Sequence, residues 1–419
     1  MKRWPLLYIF IFSLMTYYIF LHANILDGDY SIFYQATHLF QHRFNPYSLI
    51  GQPNNPVYGF TYLPTAFIIM FIPTLIPFGF SLLFWTFCCY LMLAGTAYMW
   101  FELTTGESPN FEEFVWSFIL ASIAPTMWSF WLHQLTMPVI FFSTCAIWLM
   151  VRRQKDFLSG LMSGLLLIKP HLALPLLAWL ALRAQKRWVS FVSGFALMAL
   201  ISFSPFFLGY RPATDLRDLK NALTRHATTL YSRDEQGIEA IIYKSLFFTE
   251  NDRAFIKKVN VQNKANLMLN LPRVRNENRF KKMTFLILWS AWVGYLILKR
   301  NDLNIFQAAL ACALGVLISP YSHLYDGVML IPLLFIATVR AAFNYGFAEV
   351  ACVMFFVDFA LTLMLPFNLT IDTAIFWDRI SYASFIYLGL STLIYFSKEI
   401  EEWVSHTYVN IYSRERSHT

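Results

Sequence analysis

The chain has 419 residues, of which 57% are hydrophobic and only 14% are charged, with a formal net charge of +7 and a mean hydropathy of +0.49. These values exclude an ordinary soluble domain, in which about a quarter of the residues are charged. Apolar runs recur along almost the whole length, which predicts an all-α polytopic membrane protein with one membrane domain over residues 1–419. The excess of basic residues is explained by membrane orientation and lipid contacts, so no nucleic-acid partner is expected.

The first apolar segment runs from Trp4 to about Asn24, directly after the basic start Met1-Lys2-Arg3. It lacks a small-residue cleavage site, which predicts an uncleaved anchor rather than a signal peptide. A basic start favours a cytoplasmic N-terminus. One crossing later, residues 25–62 are therefore expected to form the first extracytoplasmic loop.

Asp29 is the main candidate for chemistry in this first loop. It precedes Tyr30 to Phe44, whose apolar residues suit a helix lying along the membrane interface. One interpretation makes Asp29 the N-cap of that helix, because Asp is a preferred cap. The other makes it a general base, since the start of a surface helix holds a carboxylate at a fixed place beside the membrane. One residue can serve both purposes.

Four apolar segments follow the loop, at about 63–78, 80–101, 113–131 and 136–151. Basic clusters at Arg152 to Lys155 and Arg183 to Arg187 then flank residues 157–182, and the positive-inside rule places both clusters in the cytoplasm. This favours a hairpin of two short helices with Lys169-Pro170-His171 at a tip deep in the membrane. The alternative is one tilted span with Lys169 at its centre. Either arrangement leaves a cation at membrane depth, where ionisable residues are costly and usually functional.

A segment at 189–208 leads to a long loop, residues 209–280, which is too polar to cross the membrane and is predicted to be extracytoplasmic. The loop contains Arg225 and His226, and it is either a solvated cap or a lid that binds an anionic acceptor or phosphate. Further segments lie at about 282–298, 303–318, 326–343, 347–366 and 379–397. The polar tail from Lys398 is expected in the cytoplasm. With 157–182 counted as two segments there are thirteen, and an odd number of crossings does not fit two cytoplasmic ends, so 63–78 or 157–182 is expected not to cross fully.

A second polar cluster, Ser319 to Asp326, is also predicted at the outer face and includes His323. Its members are either satisfied core groups or ligands for a phosphate or hydroxyl. His133-Gln134, between two apolar segments, is a weaker candidate. No HExxH, GxGxxG, GxSxG or P-loop motif occurs, and neither a metal nor a cofactor is expected.

Several of these motifs together resemble a known family. Asp29 to Ala36 followed by Asn45-Pro46-Tyr47 is similar to the D-x-x-x-x-Y-x-A…N-P-Y opening of bacterial multispanning glycosyltransferases. The later landmarks follow in the same order: Tyr62-Leu63-Pro64, His133-Gln134 (Gly-Gln in many relatives), Lys169-Pro170-His171 and Ser319 to Asp326. The family uses polyprenyl-phosphate sugars, has GT-C architecture and includes phosphatidylinositol mannoside mannosyltransferases. The resemblance implies a GT-C-like bundle of about 12 transmembrane helices, with interfacial helices on extracytoplasmic loops.

The resemblance also implies an inverting transfer of a mannose-like hexose from a polyprenyl-phosphate sugar to a lipid or glycan hydroxyl. Asp29 would be the base, on the extracytoplasmic side of the plasma membrane. Cations that stabilise a leaving phosphate would come from Lys169, His171 and His323. The other expected substrate-binding residues are Tyr34, Tyr62, Gln134, Asp326, Arg225 and His226. Two further functions remain open: a transporter or flippase of lipid-linked glycans, and a glycan polymerase or ligase that uses diphosphate-linked lipids.

Overall fold

The computed structural model describes residues 29–49, 57, 60, 62–208, 216–221, 272–319 and 324–345. Every regular element in these residues is helical, which confirms the all-α prediction for them. The α-helices are α1 (Asp29–Gln41), α2 (Thr65–Met70), α3 (Phe78–Thr105), α4 (Phe111–Ala121), α5 (Ala124–Trp131), α6 (Thr136–Val151), α7 (Asp156–Leu165), α8 (Pro170–Ala184), α9 (Trp188–Leu208), α10 (Pro272–Leu298), α11 (Ile305–Ile318) and α12 (Ile331–Tyr345). Short 3₁₀ helices lie at Pro46–Leu49, Pro73–Leu75, Leu166–Ile168, Gln185–Arg187 and Leu324–Leu330.

Two helical stretches of the described residues are long and apolar enough to cross a membrane: α3 and Pro170–Ser204. The second comprises α8 and most of α9, and it turns at Gln185, where φ is 42°. One face of α3 exposes large apolar side chains at helical spacing: Phe80, Leu83, Phe87 and Leu91. Such a face is suited to lipid, which supports a polytopic membrane fold. The expected total of about 12 spans includes residues outside the described ranges and stays a prediction.

Residues 157–182 form the predicted hairpin. An added Cβ at Gly160 would lie 2.0 Å from the carbonyl oxygen of Phe191, and one at Gly164 would lie 2.5 Å from Cβ of Met198. Residue numbers therefore rise together along α7 and α9, so these two helices run parallel, with the close backbone contact typical of small-residue membrane interfaces. Because α8 joins the end of α7 to the start of α9, it must run antiparallel to both. The single tilted span is wrong, because it would place the start of α7 and the end of α8 on opposite sides of the membrane.

The two basic clusters meet at one end of the bundle, where the hairpin begins and closes. Arg187 Nε lies 3.1 Å from Asp156 Oδ2. Arg183 donates a hydrogen bond to the carbonyl oxygen of Leu303 over 2.9 Å, and Arg152 donates one to that of Gly106. We call this the cationic end, defined by Gly106, Arg152 to Asp156, Arg183 to Arg187 and Lys299 to Leu303.

Helix α1 lies at the other end of the bundle. The hydroxyl of Tyr34 donates to the carbonyl oxygen of Ile76 over 2.8 Å, and the Gln41 amide donates to Thr74 Oγ1 over 2.7 Å. The ring of Phe40 lies 5.7 Å from that of Phe206, which is in the last turn of α9. Since α9 begins at the cationic end and has 21 residues, these contacts place α1 roughly 30 Å away, about the thickness of a hydrocarbon core. We call this the α1 end.

Several predicted boundaries differ from the structure. The predicted helix from Tyr30 to Phe44 is shorter, ends at Gln41, and contains Asp29 in its first turn instead of following it. Its end is marked by Arg43, whose positive φ of 62° cannot continue a right-handed helix. The predicted loop 209–280 ends in helix, because α10 begins at Pro272, a position that suits proline.

Two predicted spans are divided into shorter helices. Residues 63–78 contain only the short α2 and a 3₁₀ turn at Pro73–Leu75, too short to cross a bilayer. Residues 113–131 are divided between α4 and α5 at Ser122 and Ile123, and Pro125 lies in the first turn of α5. Proline favours the start of a helix and disfavours its interior, which explains both divisions.

Candidate active site

Three of the sequence-predicted residues form one hydrogen-bonded group at the α1 end. Asp29, in the first turn of α1, accepts a hydrogen bond through Oδ2 from the side-chain amide of Gln134. The amide oxygen of Gln134 accepts in turn from the Tyr62 hydroxyl over 3.1 Å. Gln134 is only 1% exposed, whereas Asp29 is partly exposed. The group therefore joins a carboxylate that solvent can reach to a buried amide and a phenol.

Gln134 reaches Asp29 because of the turn that ends α5. The backbone N–H of His133 bonds to the carbonyl of Phe130 over 3.1 Å, and that of Gln134 bonds to Ser129 over 2.9 Å. These are the two bonds of a Schellman motif, in which the residue at the position of His133 adopts a left-handed conformation. His133 has a φ of 50°. Glycine adopts this conformation without a steric penalty, which explains why Gly-Gln would suit the same turn.

Lys169 and Asp326 form a buried ion pair beside this group. Lys169 Nζ lies 2.8 Å from Asp326 Oδ1 and 2.7 Å from the hydroxyl oxygen of Thr136, and that hydroxyl donates to the same carboxylate oxygen over 2.8 Å. Lys169 is 3% exposed and Asp326 is fully buried. A buried charge of either sign is costly without its partner. The sequence pointed to both charged residues but not to their pairing, and Thr136 was missed because a hydroxyl at the start of an apolar helix carries no signal of its own.

Tyr62 lies between the two groups. Its ring centroid is 5.7 Å from Lys169 Nζ, within the range of a cation–π contact. Burial raises the pKa of the Tyr62 phenol well above its usual value, and the negative charges of Asp29 and Asp326 raise it further. The phenol therefore keeps its proton and acts as a donor. The same electrostatic couplings show that both carboxylates act on Tyr62.

The structure gives the other predicted residues different places. The Tyr34 hydroxyl is bonded to the Ile76 carbonyl, so Tyr34 anchors α1 and does not join the group around Asp29. His171 is partly exposed in the first turn of α8, two residues after Lys169. His323, Arg225 and His226 lie outside the described residues. Of the cations predicted to stabilise the leaving phosphate, the described residues therefore include Lys169 and His171.

The long loop after α9 contacts the first loop, and the contact lies near the beginning of the long loop. Residues 216–221 are helical, and the Asn45 side-chain amide donates to Asp218 Oδ2 over 3.2 Å. Asn45 also caps its own turn, because its side-chain oxygen accepts from the backbone N–H of Tyr47 over 3.0 Å. These contacts bring the start of the long loop to the α1 end.

Comparison with known proteins identifies the family. A family model described as Glycosyltransferase family 87 matches residues 60–320, more than half of the chain. The matched interval contains Tyr62, Gln134 and Lys169 but not Asp29 or Asp326, although the structure brings all five together. No curated protein and no solved structure matches the chain. The chain belongs to glycosyltransferase family 87, a polyprenyl-phosphate-sugar-dependent GT-C family of membrane glycosyltransferases.

Proposed function

We propose that this glycosyltransferase moves a mannose-like hexose from a polyprenyl-phosphate sugar to a hydroxyl of a lipid or glycan, with Asp29 as the general base. One observation carries the proposal: a partly exposed carboxylate at the start of α1 is held beside Tyr62 and the buried Lys169–Asp326 pair. A general base must be ionised, fixed in place and within reach of a substrate proton. Asp29 is held in place by Gln134 and is open to solvent, which suits this role.

Asp326 is the other carboxylate in this site, and it suits the role of base less well. Asp326 is fully buried and forms an ion pair with Lys169, whereas Asp29 is partly exposed. The first turn of α1 also favours the ionised form of Asp29, because backbone N–H groups and the helix dipole stabilise negative charge there. Asp326 is therefore assigned to holding Lys169, and Asp29 to accepting the proton.

The reaction balances with these groups alone. Asp29 takes the proton of an acceptor hydroxyl, and the hydroxyl oxygen forms a bond to the anomeric carbon of the donor sugar. The bond from that carbon to the phosphate oxygen breaks, and polyprenyl phosphate leaves with the electron pair. Attack from the face opposite the leaving group inverts the anomeric configuration, so no covalent sugar–enzyme intermediate forms.

Stabilisation of the leaving phosphate is assigned to cations at and near the hairpin tip. Lys169 is held by Asp326, so a donor phosphate would compete with that carboxylate for the ammonium. His171 follows at the same tip and is partly exposed, which favours direct contact. His323, Arg225 and His226 keep their proposed substrate-binding roles. Positive charge placed where the phosphate charge develops lowers the barrier.

The proposed orientation follows from the distribution of charge. Basic residues gather at the cationic end, and the positive-inside rule places such an end in the cytoplasm. The α1 end would then face the extracytoplasmic side of the plasma membrane. Donor and acceptor would both be reached from the outer leaflet, which suits lipid-linked substrates.

The test is sugar transfer by purified protein in nanodiscs, using a panel of polyprenyl-phosphate hexoses and detecting released polyprenyl phosphate. Asp29→Asn keeps the size of the side chain but removes its basicity, so we expect turnover to fall by about 10² to 10⁴-fold with donor binding nearly unchanged. Asp302→Asn is the matched control, because Asp302 is an exposed carboxylate at the cationic end. It should turn over like the unsubstituted protein.

Normal turnover by Asp29→Asn would reject Asp29 as the base. Consumption of diphosphate-linked donors alone would favour a polymerase or ligase. Donor translocation in vesicles without any sugar transfer would favour a flippase.

A further inference from the structure

We infer that Gln134 and Tyr62 are positioning residues that aim the Asp29 carboxylate and connect it to the Lys169–Asp326 pair at the hairpin tip. The inference rests on the proposed role of Asp29 as base, and it assigns these two side chains to the protein's own geometry instead of to substrate contact. Four residues then form one continuous series: Lys169, Tyr62, Gln134 and Asp29.

The hydrogen bonds of Gln134 are satisfied in one orientation of its amide. An ionised carboxylate only accepts hydrogen bonds, so the NH₂ group of Gln134 must face Asp29. The amide oxygen then points to Tyr62, whose protonated hydroxyl donates to it over 3.1 Å. If the amide turned over, its oxygen would face the carboxylate, and two acceptors would meet without a proton between them. The Asp29 carboxylate thus decides which end of Gln134 it meets, and the Tyr62 hydroxyl donates to the oxygen at the other end.

The backbone holds both positioning residues. The Schellman turn fixes the main chain of Gln134 through two hydrogen bonds to α5. The carbonyl oxygen of Tyr62 accepts from the Tyr47 hydroxyl over 2.6 Å, and its ring packs edge-on against Phe33, with centroids 5.0 Å apart. Side chains fixed by packing and by outer hydrogen bonds hold a catalytic group more accurately than mobile ones. The amide is therefore aimed from a rigid support.

The amide of Gln134 is a fixed donor. Gln134 is only 1% exposed, so Gln134→Met would put an apolar group in place of this donor, and a water that reached Asp29 would lack its fixed position. A donor to the ionised carboxylate stabilises the charged form of the base. A fixed donor also keeps the carboxylate oxygen in line with the acceptor, where a displacement of about 1 Å can cost 10²-fold in rate.

The main test replaces Gln134 with Met, which has a similar length but no amide. We expect kcat to fall by about 10- to 100-fold with little change in the donor KM, and the acid limb of the kcat profile to move to higher pH. The control is Gln41→Met, since the Gln41 amide also holds α1, through Thr74, but lies at the far end of the helix. Gln41→Met should lower Tm and leave the acid limb unchanged.

A second variant keeps the test valid if Gln134→Met folds poorly. Tyr62→Phe preserves the ring beside Lys169 and removes the hydroxyl, so we expect a fall in kcat of about tenfold, as for the loss of one hydrogen bond. Tyr295→Phe is its matched control, because the Tyr295 hydroxyl is also bonded to a glutamine amide, that of Gln307 over 3.3 Å, but lies away from the candidate site. The double variant Gln134→Met with Tyr62→Phe should be hardly slower than Gln134→Met alone, since both act through one amide.

The outcomes separate the inference from the proposed function. An inactive Asp29→Asn together with normal kcat and acid limb in Gln134→Met would overturn the positioning role and leave the base intact. Equal losses of kcat in Gln134→Met and Gln41→Met, with no movement of the acid limb, would also overturn it, because the amide would then only support the fold. Additive losses in the double variant would contradict action through a single amide.

Discussion

The hairpin has an ion pair at each end, and the two pairs are built differently. At the tip, the side chains of Lys169 and Asp326 are 4% and 1% exposed, and Thr136 bonds to both. At the base, Arg187 is 50% exposed and lies 3.1 Å from Asp156. A cation at the base is largely hydrated, so the fold need not provide everything that stabilises it. A cation at the tip depends on partners that the fold brings to it.

The proposed function follows the same division. The cationic end carries many basic side chains, whose charge costs little at a membrane surface. At the α1 end, the charges of the candidate site have arranged partners: Asp29 has Gln134, and Lys169 has Asp326. Chemistry is therefore expected where charge is buried and supported, and three pairs of substitutions compare the two ends.

The largest difference should come from removing the cation of each pair. Lys169→Met leaves Asp326 buried without its partner and should cost about 3–5 kcal/mol of unfolding free energy. Arg187→Met removes a half-exposed cation from Asp156, whose side chain is 5% exposed, and should cost less, about 1–2 kcal/mol, because Asp156 lies in the first turn of α7, where the helix dipole also stabilises it. Unfolding in mixed micelles with increasing denaturing detergent measures both.

Replacing both members of the tip pair with apolar residues sharpens this result. Lys169→Met with Asp326→Leu should be more stable than Lys169→Met alone, because no buried charge is left without a partner. Equal losses of unfolding free energy in Lys169→Met and Arg187→Met would contradict the comparison. A double variant less stable than Lys169→Met would also contradict it.

A smaller difference should come from glycines that allow backbones to touch. An added Cβ would lie 2.1 Å from the Leu172 carbonyl oxygen at Gly315, near the tip, and 2.0 Å from the Phe191 carbonyl oxygen at Gly160, near the base. Substitution of either by Ala should cost about 1–3 kcal/mol as helices are forced apart. Gly315→Ala should also reduce turnover of the folded enzyme, whereas Gly160→Ala should not.

The control for these glycines is Gly294→Ala in α10, where a Cβ would meet nothing within 4 Å. It should raise stability by about 0.5–1 kcal/mol through helix propensity. Thermal unfolding and transfer assays on the same preparations separate the effects. Normal turnover in Gly315→Ala would show that the tip tolerates displacement.

The smallest difference concerns left-handed residues at the two ends, His133 with φ 50° and Gln154 with φ 51°. Gln154→Gly should stabilise the protein by up to about 1 kcal/mol, since glycine removes a steric penalty but loses chain entropy. His133→Gly should gain less, because the His133 ring also contacts that of Tyr30, with centroids 6.0 Å apart. Differential scanning of both variants checks this order, and a larger gain at His133 would contradict it.

The hairpin could be predicted from sequence because its evidence is local. Two basic clusters on either side of one apolar stretch require both ends on one side, and neither half is long enough to cross. The pairing of Lys169 with Asp326 could not be predicted, because no periodic pattern links residues 157 positions apart. For the same reason the sequence predicts Tyr62 and Gln134 as separate substrate contacts, whereas the structure joins them in one group.

Helix boundaries depended on chemistry that hydropathy does not measure. The stretch 113–131 is mostly apolar after Glu113, and Pro125 is the residue in it that favours a new helix start. The start of α10 at Pro272 lies in a polar sequence, so hydropathy predicts that the helix begins too late, at about residue 282. Family membership was predictable because short motifs recur in a fixed order, even though the residues that complete the site lie outside the matched interval.

The distance along the chain between Lys169 and Asp326 means that Lys169 is synthesised well before its partner. At ribosomal speeds of 5–20 residues per second, the 157 residues that separate them take roughly 8–30 s to translate. During that interval the hairpin tip has been made but its carboxylate has not. The nascent chain must keep the ammonium hydrated near the translocon or lipid headgroups, so insertion of the tip should be among the last steps of assembly.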